Sequence, residues 1–310
     1  MAIVLALAAA LCNALATIFE RLGVETAPPD AAMKWKLVSH ILRRPIWFLG
    51  LASMMGAFLF QATALAKGGL TLVQPLLVTE LLFLVLILRI WFDRPLGWRE
   101  AVGCVATVAG LGVFLGVSNQ GGGTRVPAPA DWAYVIGACV VAVAASVALA
   151  SRGSRAWRAA WFGTAGGISF ALSASFIKST TTLLHDGGPL FMFQHFEPYG
   201  IAIAGVAGLL LTQNAYHAGP ITASQAALLI VDPIASILIG VGIFGDDLRG
   251  GAGALALDAA ALAVMSAGLF VLCHSPLIVS TNADERLASG GRGRAPVAVP
   301  AASEAASAPQ

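Results

Sequence analysis

Two acidic side chains stand near the middle of long apolar stretches of this chain. Glu80 lies in LTLVQPLLVTELLFLVLILRIW (70–91), and Asp232 lies in ITASQAALLIVDPIASILIGVGIF (221–244). A carboxylate at membrane depth is costly, so it usually faces the interior of a helix bundle or a water-filled pathway, where it binds protons or cations. The alternative is a protonated carboxyl that only hydrogen-bonds a neighbouring helix. We predict that Glu80 and Asp232 bind a substrate or couple its movement to a proton.

Neutral amides accompany these acids in the same apolar segments. The candidates for substrate binding are Gln61, Gln74, Gln213, Asn214 and Gln225. Gln225 lies seven residues before Asp232 and Ser236 lies four after it, so a helix would place the three on one face. Amides can ligate a solute, but they also join membrane helices through hydrogen bonds worth about 1 kcal/mol or less. Both interpretations of the amides stay open.

Two prolines interrupt the acidic segments. Pro75 precedes Glu80 by five residues, and Pro233 follows Asp232 directly. Proline removes a backbone hydrogen bond and frees a carbonyl, which a membrane helix tolerates where it lines a cavity. Only a kink at Pro75 could bring Gln74 round to the face of Glu80. If both acids face one cavity, they could serve as metal ligands for a divalent cation such as Mg²⁺, which prefers oxygen ligands.

Composition identifies the class of protein that contains these segments. The 310 residues are 58% hydrophobic and 11% charged, with a mean hydropathy of +0.82. An ordinary soluble domain is about one quarter charged, so we expect an integral membrane protein. The apolar segments described next predict that its fold is all-α. The net charge of +2 gives no reason to expect a nucleic-acid partner.

Nine stretches have the length and apolarity of transmembrane helices, since roughly 20 apolar residues cross a hydrocarbon core of about 30 Å. They are approximately 2–19, 46–66, 70–91, 99–116, 131–150, 158–178, 197–217, 221–244 and 253–273. The weak alternation of a membrane barrel is absent from the sequence, so we predict helices.

The basic residues segregate between the two sides of the predicted membrane. Fourteen of the 18 Lys and Arg residues fall on one side, and Lys67, Arg125, Lys178 and Arg249 fall on the other. Positive loops stay in the cytoplasm. We therefore predict a multi-pass protein of the plasma membrane, with the N-terminus outside and the C-terminus in the cytoplasm.

An internal repeat relates the two halves of the chain. ALATIFER (14–21) resembles ALSASFIK (171–178), and QATALAKGGLTLVQ (61–74) resembles QNAYHAGPITASQ (213–225) after one gap. Spans one to four then correspond to spans six to nine, and Glu80 aligns with Asp232 or beside it. Equivalent helices are five spans apart along the chain. Because five is an odd number, the two copies have opposite orientations in the membrane, which is the inverted-repeat plan of secondary transporters.

The repeat divides the chain into four parts. Residues 1–116 form the first transmembrane repeat, with an amphipathic interfacial helix at 33–45. Residues 117–150 form a linker and the unpaired fifth span, and residues 151–275 form the second repeat. Residues 276–310, rich in Ala, Ser, Gly and Pro, form a disordered cytoplasmic tail by prediction.

Two stretches resemble a known transporter superfamily. NAYHAGPITASQAALLIVDPIASILIGVGIFGDDL (214–248) resembles the C-terminal half of the drug/metabolite transporter superfamily in its EamA-like branch. Ala215, Gly219-Pro220 and Pro233 match the order of residues in that branch, and Gly245-Asp246 stands where Gly-Glu is usual. LVQPL (72–76) is similar to the Leu-Val-x-Pro-Leu stretch of NIPA-like magnesium transporters, a nine-span branch of the same superfamily.

The resemblance implies ten helices in two inverted halves of five, with a cytoplasmic C-terminus. Nine spans in two inverted four-helix repeats, with one linking helix, would follow if this chain lacks the first helix of that plan. The implied function is secondary transport of a small metabolite or cation by alternating access, with proton coupling through the midplane carboxylates as one form of it.

Other functions remain to be weighed against transport. The first alternative is a NIPA-like Mg²⁺ transporter, and the further alternatives are a membrane-embedded lipid-modifying enzyme or a scaffold. The sequence has no H-E-x-x-H, D-x-x-x-D or Walker motif, so we expect no enzyme activity and no cofactor. The expected partners are a small-molecule or cation substrate and the lipid bilayer, with a homodimer as a further hypothesis.

Overall fold

The computed structural model of the chain describes residues 1–25, 45–92, 95–117, 123, 125–246 and 252–276. The described residues are overwhelmingly helical and contain no strand, which confirms the all-α prediction. The predicted interfacial helix at 33–45, apart from Pro45, lies outside the described residues. The predicted tail lies outside them from residue 277 onward.

Ten helices follow one another along the described chain. They are α1 (Ala2–Glu25), α2 (Pro45–Lys67), α3 (Leu70–Leu77), α4 (Glu80–Trp91), α5 (Trp98–Val117), α6 (Pro129–Ala150), α7 (Arg155–Met192), α8 (Glu197–Ala218), α9 (Ile221–Ile239) and α10 (Ala252–Cys273). A π-helical turn, Gly240–Phe244, extends α9.

Eight of the described segments are long and apolar enough to cross a membrane. The 22-residue helix α8 occupies the remaining predicted span. Large apolar side chains point outward from these helices, with exposed fractions of 59% for Leu59, 71% for Ile203 and 69% for Leu238. Apolar surface of this kind needs lipid around it, so the structure supports an integral membrane protein.

The stretch 70–91, predicted as one helix, consists of the two helices α3 and α4. At the break the Thr79 N–H bonds the Leu76 carbonyl, only three residues back, at 3.1 Å. The Thr79 hydroxyl donates to the same carbonyl at 2.7 Å. Pro75, inside α3, cannot donate a backbone hydrogen bond, which weakens the helix near this point. The break places Glu80 at the first position of α4.

The sixth span is longer than the sequence predicted. Helix α7 continues well past residue 178, as far as a kink where Gly188 has a φ of 77°. Lys178 is therefore a buried residue within α7 and does not end the span, contrary to the predicted limits 158–178. An apolar helix can contain one cation if a partner from elsewhere in the fold neutralises it, and the sequence did not reveal that partner.

Small residues bring the helices into close contact. Helix α1 packs on α2, α7 packs on both α8 and α9, and α5 packs on α10. A Cβ atom at Gly163 would lie 2.3 Å from the Ser224 carbonyl oxygen, and one at Gly110 would lie 2.5 Å from the Met265 nitrogen. Both glycines thus permit close helix contact.

Candidate functional site

A cavity of about 450 Å³ lies between the two predicted halves. Helices α1, α2, α3, α4, α7, α8 and α9 all contribute to its wall. Its polar lining residues are Asn13, Gln61, Gln74, Glu80, Ser173 and Asp232. The two acids therefore face one cavity, a point that depended on helix rotation and that the sequence left open.

Glu80 faces the cavity from the first turn of α4. The positive end of the helix dipole favours a negative charge at this position. The Asn13 side chain, from α1, lies beside the Glu80 carboxyl in the cavity wall. The sequence analysis did not single out Asn13, although a lone amide in the middle of an apolar span was a usable signal. Glu80 is only partly buried, because it borders the cavity.

Asp232 faces the same cavity from α9. The Ser236 hydroxyl donates to Asp232 Oδ1 at 3.4 Å, in agreement with their predicted common face. Gly167 on α7 lets α9 approach closely, since a Cβ atom there would lie 3.1 Å from the Asp232 nitrogen. Pro233 follows within the helix and is itself a lining residue. Helix packing thus fixes the depth and direction of this carboxyl.

The five predicted amides separate into two groups. Gln61 and Gln74 line the cavity, so the broken helix does turn Gln74 toward the space that Glu80 faces. Gln74 is 3% exposed, and its Nε2 atom is buried without a hydrogen-bond partner among the described residues. Such an atom is costly unless a ligand or water satisfies it.

The other three amides do not line the cavity. Gln213 and Asn214 are exposed on α8, and the Asn214 side chain donates to the Leu210 carbonyl of its own helix at 2.8 Å. Gln225 is half-buried elsewhere on α9. The structure therefore does not bring these three together with the acids: Gln213 and Asn214 point outward from α8, and Gln225 lies about two turns before Asp232 along α9.

The charge of the cavity wall is one-sided. Its described lining residues include two carboxyls and no Lys, Arg or His. The remaining wall is apolar or aromatic, with Phe58 from α2 and Phe170 from α7 among its members. The described part of the chain has no cluster of three or more His, Cys, Asp or Glu side chains that could hold a metal. Buried carboxyls without a basic partner bind protons or cations.

A second buried carboxyl site lies at one end of the bundle, and the sequence analysis missed it. Asp246 accepts hydrogen bonds from Lys178 Nζ at 2.7 Å and the Gly123 N–H at 2.8 Å, both on Oδ1. Its Oδ2 accepts from the Thr71 N–H at 3.0 Å and the Thr71 hydroxyl at 2.9 Å. Lys178 Nζ also lies 4.5 Å from the centre of the Phe244 ring.

These partners determine the charge state of Asp246. Burial by itself would raise the pKa of Asp246, but the Lys178 ammonium and the backbone hydrogen bonds from Thr71 and Gly123 outweigh it. The pKa of Asp246 therefore lies below the ordinary range, and the carboxyl stays ionised at neutral pH. The available sequence signal was the Gly-Asp pair in the position of the usual Gly-Glu.

Aromatic side chains form a cover around Phe244, the ring that lies beside Lys178 Nζ. Trp132, from α6, stacks on Phe176 with ring centres 4.8 Å apart. The Trp132 ring also meets Phe244 edge-on at 6.0 Å and Phe196 edge-on at 5.9 Å. Trp132 is 3% exposed. The fifth span, unpaired in the predicted repeat, thus supplies the central ring of the cover.

The chain is similar to an uncharacterized protein of Corynebacterium glutamicum, with 24% identity over 249 residues that make up 80% of this chain and 86% of that protein. No family model matches the chain, and no solved structure matches it. The name of the similar protein gives no activity. The comparisons therefore assign neither a family nor a function, and the geometry of the two carboxyl sites carries the functional argument.

Proposed function

We propose that this chain is a secondary transporter that carries a small cationic solute and uses Glu80 and Asp232 for binding and for coupling to protons. The observation that carries the proposal is one cavity with two carboxyls and no described basic lining residue. In such a place a proton and a cationic solute can compete for the same carboxyls. That competition is the simplest means of exchanging one for the other.

The cavity wall favours an organic cation. A volume of about 450 Å³ is in the range that holds small molecules. Two thirds of the 18 lining residues are apolar, and an aromatic face such as that of Phe58 or Phe170 attracts a cation. The buried Nε2 atom of Gln74 can also donate to an acceptor atom of the solute. An ammonium group on an apolar body matches this wall.

The packing of the helices supports the inverted repeat. Helix α1 contacts α2, α3 and α4 in the first half, as α7 contacts α8 and α9 in the second. Asn13 and Phe170, which align in the repeat, both line the cavity. On this basis we also propose that the chain belongs to the drug/metabolite transporter superfamily. We also propose that the N-terminus lies outside the cell, as the distribution of Lys and Arg residues predicts.

The second candidate is transport of Mg²⁺. Glu80 and Asp232 together with the oxygens of Asn13, Gln61 and Gln74 would give a hydrated divalent cation two charges and several acceptors. The same carboxyl variants test both candidates, provided that both solutes are assayed. The enzyme and scaffold hypotheses give no reason for acids from both halves to meet in one cavity.

The test is transport by purified protein in liposomes, recorded as a proton current with a pH-sensitive dye enclosed in the liposomes, because exchange of one proton for one monovalent cation moves no net charge. The probes are benzyltrimethylammonium, which cannot cross lipid as a neutral amine, and Mg²⁺. We expect a proton-gradient-dependent current with benzyltrimethylammonium for the wild type, and its loss in Glu80→Gln and Asp232→Asn.

A matched control comes from the amides. Gln213→Ala, at an exposed amide outside the cavity, should transport like the wild type. Equal currents for wild type and both carboxyl variants would overturn the proposal. A current with Mg²⁺ alone that both variants abolish would replace the organic cation with the divalent one.

A further inference from the structure

We propose that Asp246 and Lys178 form a latch that closes one end of the transport cavity and that releases when one of the two charges is lost. The inference rests on the proposed transport function for its biological meaning. The opening itself can be measured without any transported solute. The predicted orientation places this latch at the outer end of the bundle.

The latch lies next to the cavity wall on two helices. On α3, Thr71 binds Asp246, and Gln74, one turn further along, lines the cavity. On α7, Lys178 follows directly after Ile177, which also lines the cavity. The ion pair is therefore positioned as a closure over one end of the cavity.

The latch joins the two predicted halves of the protein. Thr71 belongs to the first repeat, whereas Lys178 and Asp246 belong to the second. Alternating access separates the halves at one end of the bundle and then at the other. The contact of Asp246 with the start of α3 has to break whenever this end opens.

The local backbone is shaped around the Asp246 carboxylate. A Cβ atom at Gly69 or at Gly240 would lie 2.6 Å from Asp246 Oδ2, so both glycines leave room for that oxygen. Gly245, with a φ of 69°, turns the chain back after the π-helical turn. The Asp246 N–H then bonds the Gly240 carbonyl at 3.0 Å. Turns of the π type are frequent at functional sites.

The burial of the pair makes the latch a two-state element. Because the Lys178 and Asp246 side chains are only 7% and 1% exposed, the attraction between the charges is stronger than it would be in water. If one charge is removed, the other is left buried and unpaired, which is strongly unfavourable. Opening this end hydrates the remaining charge. Single-charge variants should therefore shift the protein toward the open state, whereas an apolar replacement of both residues should do so much less.

The test measures access to the cavity with a cysteine reporter. The background replaces Cys12, Cys104, Cys139 and Cys273 with Ala, and Ser173→Cys places one thiol in the cavity wall. A membrane-impermeant maleimide is added to intact cells, and permeabilised cells give the total label. We expect Asp246→Asn and Lys178→Met each to raise the labelling rate about tenfold or more.

Two controls distinguish a latch from general loosening. Asp246→Glu keeps the charge and should label more slowly than Asp246→Asn. Lys178→Met combined with Asp246→Leu removes both charges and should bring the rate well below that of either single-charge variant. Thr71→Val keeps the ion pair and removes one hydrogen bond to Asp246, so it should raise the labelling rate by a smaller factor. This variant tests the latch if the single-charge variants do not fold.

The opposite results would overturn the latch. Unchanged labelling in Asp246→Asn, Lys178→Met and Thr71→Val, with monodisperse protein, would show that the pair does not control access. Equal labelling in the single and double variants would show that lost packing is the cause. Because the assay needs no solute, a latch that opens as expected would stand even if benzyltrimethylammonium and Mg²⁺ were not transported.

Discussion

Glu80 and Asp246 are carboxyls within the same helix bundle, but their surroundings differ in one decisive respect. Asp246 has an internal cation, Lys178, 2.7 Å away, and three further hydrogen bonds. Glu80 has the neutral Asn13 and an open cavity. A carboxyl whose charge is already neutralised fixes a conformation, whereas one without an internal cation is available to an external one. This contrast separates the proposed latch from the proposed transport site.

The largest change in stability is expected when Lys178 is replaced. The Lys178→Met variant leaves Asp246 buried and unpaired, and for the closed form this costs about 3–5 kcal/mol. We expect the free energy of unfolding in detergent to fall by up to that amount. The double variant Lys178→Met/Asp246→Leu should recover part of the loss, because no buried charge remains although the Thr71 and Gly123 donors lose their acceptor. A single variant as stable as the double one would contradict the assigned role of the pair.

Acidification should weaken the latch in a defined range of pH. Because the folded-state pKa of Asp246 lies below its ordinary value, the unfolded chain binds more protons and the stability from this group rises with pH. That stability is complete above the unfolded pKa of about 4 and is lost as the pH falls toward the folded pKa. Lys178 is the charged group that contacts Asp246, and nearby Arg125 pairs with Asp131 instead.

The measurement compares unfolding of the wild type with that of the Lys178→Met/Asp246→Leu variant. The difference in their stability should be constant between about pH 5 and 8 and should shrink below about pH 4. A difference that shrinks already between pH 8 and 6 would place the relevant titration on another group.

Neutralising the cavity acid should affect stability much less than breaking the latch. Glu80→Gln keeps the shape of the side chain and leaves no buried cation behind, so the free energy of unfolding should change by about 1 kcal/mol or less. The measurement compares the chemical unfolding of Glu80→Gln with that of Lys178→Met. Similar losses in the two variants would mean that Glu80 is a structural residue.

The smallest effect is expected at an exposed ion pair of the same type. Arg125 and Asp131 are 2.8 Å apart, but the Arg125 side chain is 55% exposed. Exposed pairs contribute roughly 0–1 kcal/mol, so Arg125→Gln should unfold almost as the wild type does. Asp131 also accepts from the Ala128 N–H at the start of α6, and this contact remains. A loss as large as that of Lys178→Met would show that exposure does not explain the difference.

Much of the fold follows from the sequence because apolar segments of span length have few alternatives. Residues 129–150 and 252–273 form helices close to the predicted limits. The break before Glu80 and the extension of α7 were not predicted. Local backbone chemistry near Pro75 and tertiary contacts around Lys178 decide these two features, and the apolar pattern contains neither.

The candidate site was predicted in part, for a physical reason. The types and depths of Glu80 and Asp232 are visible in the sequence, since an acid within an apolar span is unusual wherever the helix points. The rotation of each helix is not visible, because helices with hydrophobic residues all round give no preferred face. This is why Gln213 and Asn214 were candidates although they lie outside the cavity wall.

The sequence by itself determined an all-helical, membrane-type chain with acids near the centres of two apolar segments. Only the tertiary structure decided that these acids share a cavity and that Lys178, 68 residues before Asp246 in the chain, is its partner. Burial depth depends on local composition and can be read residue by residue. Pairing depends on which helix faces meet, and that is settled by close contacts such as that of Gly167 with the backbone of Asp232.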